Sequence, residues 1–480
     1  MLRPRLLASA LAATLCITAH AAPILLARGS LPGSFTDLSG LSGLMENGVA
    51  GNLLGGLGSG LAWAGGSTFL GLPDRGPNAT SYNSALDNTA SYIARFQTLT
   101  LDLQSSSGGA LPFTLTPTLT ATTLLSSAAQ LSYGSGAGLG NRYDGTPIGS
   151  GAPALNATKN TNYFTGRSDN FNPALGSLNP NNARLDPESI RVSNDGKSVF
   201  VSDEYGPYVY QFDRATGERL KSFALPANLG VANLSPIGQT EISGNASGRI
   251  ANKGMEGLAI TPDGKTLVVI VQANLEQDKK GNLRIVTIDI ASGATKEFAY
   301  QLGSGSGVSE IVALNDHEFL VDERDGNGLG GGPGGGTAKV KQFYRIDLSG
   351  ATDVSGVTAL PAAGVVPVSK SLVLDLVSTL QANGVDAQHI PSKIEGLSFG
   401  ADVVLNGVLT HTLYVANDND FLATDPDTGF DNPNQWFVFG LTDADLGTTY
   451  VAQPVPEPST YAMLFAGLGV ISWVVRRRRR

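Results

Sequence analysis

Apolar and polar residues alternate in many short stretches between residues 57 and 450. TLTLDLQ (98–104), SVFVSDE (198–204) and LRIVTIDI (283–290) are examples, and a two-residue period is typical of strands with one buried face. Turn sequences with glycine separate these stretches, such as NDGK (194–197) and PDGK (262–265), because glycine adopts the positive φ of tight hairpins. One helix is expected near 371–383. The pattern therefore predicts an all-β chain.

Four of the predicted strands carry a glutamate near their start. They are PESIRV (187–192), MEGLAI (255–260), SEIVAL (309–314) and IEGLSF (394–399), and SGLAW (59–63) resembles them without the glutamate. Each is followed by a turn and a second strand that ends in an acidic or amide residue. Repeated strand–turn–strand units at intervals of tens of residues are typical of a β-propeller.

The repeat predicts a β-propeller of six blades, with five to seven compatible with the spacing. Five units are visible, and a sixth blade could form from residues 22–55 or 111–185 together with the C-terminal strands. A β-sandwich is the alternative architecture.

Both ends of the chain are expected to lie outside this domain. Residues 1–21 have two early arginines, an apolar run and the sequence Ala19-His20-Ala21, which is the pattern of a secretory signal peptide. The propeller domain is then 22–452. Residues 453–480 contain VPEPST, a short apolar transmembrane segment at 461–475 and five terminal arginines.

This C-terminal arrangement resembles the PEP-CTERM sorting signal of Gram-negative bacteria. The resemblance implies export through the inner membrane, transient anchoring in that membrane and processing by an exosortase. An ordinary C-terminal membrane anchor is the alternative. The location implied for the product is the periplasm, the cell surface or the extracellular space.

The charge of the chain limits its partners. The whole sequence has a net charge of −9, and removal of both ends takes away seven basic residues but one acidic residue, which leaves about −15. An acidic surface argues against nucleic acid as a partner. It is compatible with the binding of a cation.

The recurring acids predict a metal site. The first strand of a propeller blade lies at the central axis, so the glutamates would meet at one mouth of the channel. Carboxylates in such proximity repel each other unless a cation neutralises them, and oxygen ligands favour Ca²⁺, with Mg²⁺ as the other possibility. The alternative is that individual glutamates only accept hydrogen bonds from backbone amides. The candidate ligands are Glu188, Glu204, Glu256, Glu310, Glu323, Glu395, Asp418 and Asp420.

Four cations stand beside these acids in the sequence, namely Arg75, Lys253, Arg324 and Lys393. Cations next to a metal–carboxylate cluster would suit a phosphate or another oxyanion, and plain ion pairing is the alternative. With Glu188 and Glu256, these four form the predicted catalytic set. In this mechanism a metal polarises the ester, a carboxylate acts as base, and no covalent nucleophile is needed.

Several segments together resemble the family called esterase-like activity of phytase. They are GSGLAW and DRGPN (58–78), DPESIRVSNDGKSVFVSDEYGPYVYQFD (186–213), NKGMEGLAITPDGKTL (252–267), SEIVALNDHEFLVDERDG (309–326) and KIEGLSF with LYVANDNDF (393–421). Ser189 stands where the family usually has glycine, and Pro73 stands where serine is common. The family is similar to the β-propeller phytases, which implies calcium and a small phosphorylated substrate.

The sequence thus predicts an exported, metal-dependent hydrolase that acts on phosphoric esters. A non-catalytic propeller that binds a ligand or polymer at the cell surface or in the extracellular matrix is the alternative. Carboxylesterase activity is a third possibility, but Ser398 of GLSFG (396–400) lies mid-strand rather than in a strand-to-helix turn.

Overall fold

The computed structural model describes residues 23–78, 83, 86, 90–332 and 334–455 of the chain, and these are mostly β-structure. In chain order the strands are β1 Ile24–Leu31, β2 Gly60–Trp63, β3 Thr68–Leu72, β4 Arg95–Ser105, β5 Phe113–Leu124, β6 Ser126–Ser127, β7 Asn162–Tyr163, β8 Pro187–Val192, β9 Ser198–Asp203, β10 Tyr208–Asp213, β11 Arg219–Ala224, β12 Met255–Ile260, β13 Thr266–Val271, β14 Asn282–Asp289, β15 Thr295–Gln301, β16 Gly307–Ala313, β17 Glu318–Arg324, β18 Lys341–Asp347, β19 Ser369–Asp375, β20 Lys393–Phe399, β21 Val403–Leu405, β22 Val408–Asp418 and β23 Asn434–Leu441.

Five antiparallel sheets form a β-propeller. Blades one to four have the strand orders β2-β3-β4-β5, β8-β9-β10-β11, β12-β13-β14-β15 and β16-β17-β18-β19, and blade five has the order β20-β22-β23-β1. The first strand of each blade contacts the first strands of both neighbouring blades, so β2, β8, β12, β16 and β20 form a closed ring around the axis. The predicted propeller is confirmed.

The described residues contain five blades, which is the lower end of the predicted range. Both segments considered for a sixth blade contribute outer strands instead. Strand β1 pairs with β23 through Ile24–Gly440 to Leu31–Asn434 and completes blade five, and β5 completes blade one. An N-terminal strand beside a C-terminal strand closes the ring by hydrogen bonds between the two ends of the domain.

Helices are few and short. They are α1 Ala154–Lys159, α2 Gly238–Ser243, α3 Leu376–Ala382 and α4 Asp443–Leu446, with 3₁₀ turns at Ala227–Leu229 and Ala387–His389. The helix expected near 371–383 starts later, because 369–375 form the outer strand of blade four. The Asp375 carboxylate caps α3 by accepting a hydrogen bond from Ser378 N at 3.0 Å.

Within the part of the chain that the structure describes, no helix has the length and apolar character needed to cross a membrane. The predicted signal peptide (1–21) and the predicted transmembrane segment (461–475) lie outside the described residues.

The inner strands approach each other closely enough to exclude a side chain. A Cβ atom on Gly257 of β12 would lie 2.8 Å from Ile311 N of β16, and one on Gly60 of β2 would lie 2.9 Å from Ser189 Cα of β8. Apolar residues on both faces of the sheets fill the space between blades, as between blades two and three. These close approaches lie at the axis, next to the predicted glutamates.

A short segment at the end of the domain closes one mouth of the channel, which we call the far mouth. Val451 N donates to Leu314 O of blade four at 2.8 Å, and Gln453 Nε2 donates to Val192 O of blade two at 2.7 Å. The Tyr450 ring packs 4.4 Å from the Phe399 ring of blade five. We call this segment the strap (450–455). A cavity of about 50 Å³ lies beneath it, lined by residues at the ends of all five inner strands and in the turns next to them.

Candidate functional site

The opposite mouth, where the inner strands begin, contains the acids. Strand pairing is irregular at the start of four inner strands, between Pro187 and Ile190, Met255 and Gly257, Val308 and Glu310, and Ile394 and Gly396. A bulge of this kind re-aims the side chain of the extra residue. Glu188, Glu256 and Glu395 occupy the bulges of blades two, three and five, and their carboxylates perturb one another electrostatically. We call this end the acidic mouth.

In blade four the bulge lies one residue earlier than the predicted repeat places it. Its bulge falls on Ser309, so the structure aligns VSEIVA (308–313), rather than SEIVAL, with MEGLAI. Glu310 therefore takes the place of Gly257 and lies deeper in the channel. Its carboxylate accepts hydrogen bonds from Ser189 Oγ at 2.8 Å and Leu258 N at 3.1 Å. The structure does not bring this predicted ligand to the acidic mouth.

A group of three carboxylates lies at the edge of blade two. Oxygen atoms of Asp186, Glu188 and Glu204 all lie within 4.8 Å of one another. Glu188 is 94% buried, and no described residue donates a hydrogen bond to its carboxylate. Burial and the neighbouring carboxylates raise the pKa of Glu188 well above its ordinary value, and the same two causes raise the pKa of Glu204.

Glu256 lies beside this group, and only one of its two carboxylate oxygens accepts a hydrogen bond from a described residue. Oε1 accepts a hydrogen bond from Gln272 Nε2 at 2.7 Å, whereas the buried Oε2 has no partner among the described residues. Burial, and next the charge of Glu395, raise the pKa of Glu256 to about 8. Burial also raises the pKa of Glu395 to about 6, although Arg324 opposes this change.

A second group of acids combines blades one and five. Oxygen atoms of Asp74, Asp418 and Asp420 lie within 4.8 Å of one another. Lys393 Nζ bridges two of them, at 2.7 Å from Asp418 Oδ2 and in direct contact with Asp420 Oδ1. Burial, followed by the charge of Asp418, raises the pKa of Asp74 well above its ordinary value. This second group is partly neutralised by its own lysine.

Three of the four predicted cations border the acids. Arg75 Nη1 lies 2.8 Å from Asp186 Oδ2 and 3.7 Å from Glu204 Oε2. Arg324 Nη2 contacts Glu395 Oε1 and lies 3.9 Å from Glu256 Oε1. Lys393 is the third. Lys253 is exposed and forms no ion pair with the residues that the structure describes, so it is not brought into the cluster.

Glu323 also lies apart from the cluster. Its carboxylate accepts hydrogen bonds from Tyr300 Oη and from Gly303 N at 2.9 Å, and it contacts Lys370 Nζ. Tyr300 and Lys370 are in the outer strands of blades three and four, and Gly303 follows the outer strand of blade three. Its neighbour Asp322 points the other way and is fully buried, and neither of its oxygens has a hydrogen-bond partner among the described residues.

The sequence reasoning missed Asp74, Asp186 and Asp322 as parts of this region. Two signals were available, since Asp74 directly precedes Arg75 in DRG, and Asp186 lies two residues before Glu188 in DPE. Asp322 had no such signal. It occupies the position of Ile270 in blade three and Ala416 in blade five, where the repeat predicts an apolar residue.

The acidic mouth therefore gathers eight carboxylates around three cations. The eight are Asp74, Asp186, Glu188, Glu204, Glu256, Glu395, Asp418 and Asp420. Burial of excess negative charge is costly without a neutralising group. Asp186, Glu188 and Glu204, together with the open Oε2 of Glu256, offer oxygen ligands only, as a hard divalent cation requires.

Comparison with protein families agrees with this geometry. A family model described as "Phytase-like: Esterase-like activity of phytase" matches residues 52–421, which include all eight acids of the mouth. The chain belongs to this family. In this phytase-like chain, Ser189 stands at a position that is usually glycine. Its hydroxyl donates a hydrogen bond to Glu310 across the axis, so the additional polar group has a partner.

A second family model, the PEP-CTERM protein-sorting motif, matches residues 454–480. A relative described as an uncharacterized secreted protein of Arthroderma benhamiae is 33% identical over 180 residues. The alignment covers 30% of the phytase-like chain and 35% of the relative, so the match spans about a third of that protein's length. The sorting motif indicates export.

Solved structures with distant similarity include two that are named as lactonases. A periplasmic gluconolactonase of Pseudomonas aeruginosa has 12% identity and a TM-score of 0.31, with 87% of the phytase-like chain and 98% of that chain covered. A putative 6-phosphogluconolactonase of Bacteroides uniformis has 12% identity and a TM-score of 0.30, with 84% and 97% covered.

Proposed function

We propose that the protein is an exported, metal-dependent hydrolase that acts on phosphoric esters at the acidic mouth. Glu188 carries this proposal, because a carboxylate that is 94% buried among other carboxylates and receives no hydrogen bond from the described residues is placed as a metal ligand would be. Membership of the phytase-like family supports the same conclusion.

Asp186, Glu188 and Glu204 would hold the ion, and Glu256 Oε2, which has no hydrogen-bond partner among the described residues, would be a further ligand. A bound Ca²⁺ or Mg²⁺ would polarise a phosphoryl oxygen and lower the pKa of a bound water. Ca²⁺ is the better candidate, because it tolerates irregular sets of six to eight oxygen ligands. Asp74, Asp418 and Asp420 offer further oxygens, although Lys393 already neutralises two of them.

The protein's own residues would bind and orient the ester. Arg75 and Arg324 border the acids on two sides, and their guanidinium groups suit the oxygens of a phosphoryl group. In the metal-free protein, where its pKa is about 8, Glu256 holds a proton at neutral pH. A bound cation would favour the ionised form, which can accept a proton from an attacking water.

A hydrolysis panel tests the proposal. Phytate, aryl phosphates and aryl acetates would be offered to the protein with calcium and with a chelator. We expect phosphatase turnover that the chelator abolishes and calcium restores, and Glu256→Gln should lower kcat. Turnover of aryl acetates alone would contradict the choice of ester and favour the carboxylesterase alternative.

One observation favours a non-catalytic propeller that binds a ligand or polymer. Arg75, Arg324 and Lys393 are all paired with acids of the mouth, so an incoming anion has to compete with these pairs. A protein that folds, binds calcium and turns over no member of the panel would support this second function, with the ion serving the structure of the mouth.

A further inference from the structure

The chain leaves the propeller at the far mouth. The strap crosses this mouth from Tyr450, beside blade five, to Val455, which belongs to the apolar cluster of blades one and two. The sorting motif begins at residue 454, and its uncharged apolar stretch begins at Tyr461. Five residues lie between Val455 and Tyr461, and the six steps from one residue to the next span at most about 20 Å.

This short connection limits how the propeller can face a membrane. Inner strand β8 has six residues, so the two mouths are separated by about 20 Å. A connection of about 20 Å that starts at the far mouth is only as long as the distance between the two mouths. It is therefore too short to pass around the blades and reach a membrane on the side of the acidic mouth. The five terminal arginines remain on the cytoplasmic side, which leaves the propeller on the exported side.

An apolar hairpin projects from the far mouth. Strand β20 ends where Gly400 N bonds to Thr412 O, and β21 and β22 continue beyond this point as a two-stranded hairpin. Its turn is Asn406-Gly407, with φ values of 50° and 80°. Val404, Val408 and Leu409 are exposed by 69%, 53% and 58%. Leu405, by contrast, packs against the core between blades one and five.

An exposed cluster of valine and leucine at a hairpin tip is unfavourable in water and marks a contact surface. The polar turns at the same end contain charges of both signs, Asp195 with Lys197 and Asp263 with Lys265, so no net attraction of this face to anionic lipids is expected. The apolar hairpin is the part of this end that suits hydrocarbon.

We propose that, while the sorting segment is attached, the far mouth faces the lipid bilayer and the 403–409 hairpin inserts into the lipid interface. The acidic mouth then faces the aqueous exported side and stays open to substrate. The proposal rests on the position of the strap and on the exposed hairpin, and it is independent of the hydrolase activity proposed above.

Depth-sensitive fluorescence on the full-length protein tests this orientation. Single cysteines would be placed in a Cys16→Ser background at Leu409 in the hairpin, at Ser292 in a polar turn of the far end, and at Lys280 in a loop of the opposite end. Each variant would be labelled with an environment-sensitive dye and reconstituted in vesicles of phosphatidylethanolamine and phosphatidylglycerol, with and without brominated lipid.

We expect a blue-shifted emission and several-fold stronger bromolipid quenching at position 409 than at 280, with 292 intermediate. The pair Val404→Asn and Leu409→Asn should reduce the difference in quenching between 292 and 280. The control Leu372→Asn should not, because Leu372 is 52% exposed in the outer strand of blade four.

Three outcomes would overturn the proposal. Quenching at 280 equal to that at 409 would mean that the acidic mouth also meets the bilayer. An absence of quenching at all three positions would mean that the segment only tethers the propeller. A blue shift at 409 without bromolipid quenching would assign the hairpin to a contact with protein, such as a second copy of the chain.

Discussion

Arg191 and Glu310 meet inside the central channel, with Arg191 Nη2 3.0 Å from Glu310 Oε2. The guanidinium also donates to Leu61 O at 2.8 Å and to Ile311 O at 2.9 Å, and so it connects blades one, two and four. Glu310 is fully buried. Arg191 also lines the cavity beneath the strap, so this pair lies between the far mouth and the acids.

Glu310→Gln should destabilise the fold and leave calcium affinity nearly unchanged. Removal of one partner leaves the Arg191 charge buried and unpaired, at a cost of about 3–5 kcal/mol. The double variant Arg191→Met with Glu310→Met removes both charges and should be clearly more stable than the single variant. Urea unfolding measures the stability and calcium titration measures the affinity. A large loss of calcium affinity in a folded Glu310→Gln protein would contradict this assignment and restore Glu310 as a ligand.

Glu188→Gln should have the opposite effects on the two quantities, with higher stability of the metal-free protein and lower calcium affinity. It removes a buried carboxylate that repels its neighbours, so the metal-free protein at pH 8 should gain stability on the order of 1 kcal/mol. Calcium affinity should fall by more than the roughly tenfold that is typical of losing an outer-shell partner.

Glu323→Gln is the matched control, since Glu323 was an equally strong candidate in the sequence. It should lower stability, because Lys370 and Tyr300 lose their partner, and it should not change calcium affinity. Equal losses of affinity in the two variants would show that the distinction between the two glutamates is wrong.

The sequence predicted the propeller and the convergence of acids at one mouth, because both follow from a repeat that places a glutamate at the start of inner strands. It could not separate Glu310 from Glu256. That distinction depends on whether the bulge falls on the glutamate or on the residue before it, and the strand sequences tolerate both registers. The blade count was also open, because a sheet that combines the two ends of the domain carries no local signal.

The pH dependence of stability should differ between the metal-free and the calcium-bound protein. The pKa values of Glu256, Glu310 and Glu395 in the folded state are about 8, 7 and 6, all above their unfolded values. The folded protein then binds more protons than the unfolded chain, so the free energy of unfolding falls as pH rises from about 4.5 to 8. It should be greatest near the acid end of this window.

Calcium should remove much of this decline, because a bound cation stabilises the ionised acids. Thermal unfolding at pH 5, 6, 7 and 8, with chelator and with calcium, provides the comparison. In Glu188→Gln, the difference in Tm between the calcium and the chelator series should be smaller. A metal-free protein that becomes more stable between pH 5 and 8 would contradict the burial of uncompensated carboxylates at the mouth.

Gly257→Ala should disturb the fold and the site together. The new Cβ would lie 2.8 Å from Ile311 N and 2.9 Å from Glu310 C. Both are backbone atoms, so relief requires β12 and β16 to move apart. Overpacking of this kind costs about 1–3 kcal/mol.

Glu256 directly precedes Gly257 and would move with it, so calcium affinity should fall as well. Gly149→Ala is the control, since a Cβ at Gly149 meets no atom within 4 Å, and both quantities should stay at the values of the original protein. Urea unfolding and calcium titration of the two variants give the comparison. Unchanged calcium affinity in Gly257→Ala, despite a loss of stability, would mean that Glu256 is not a ligand, because the close approach of these two strands is what fixes its carboxylate beside Glu188 and Glu395.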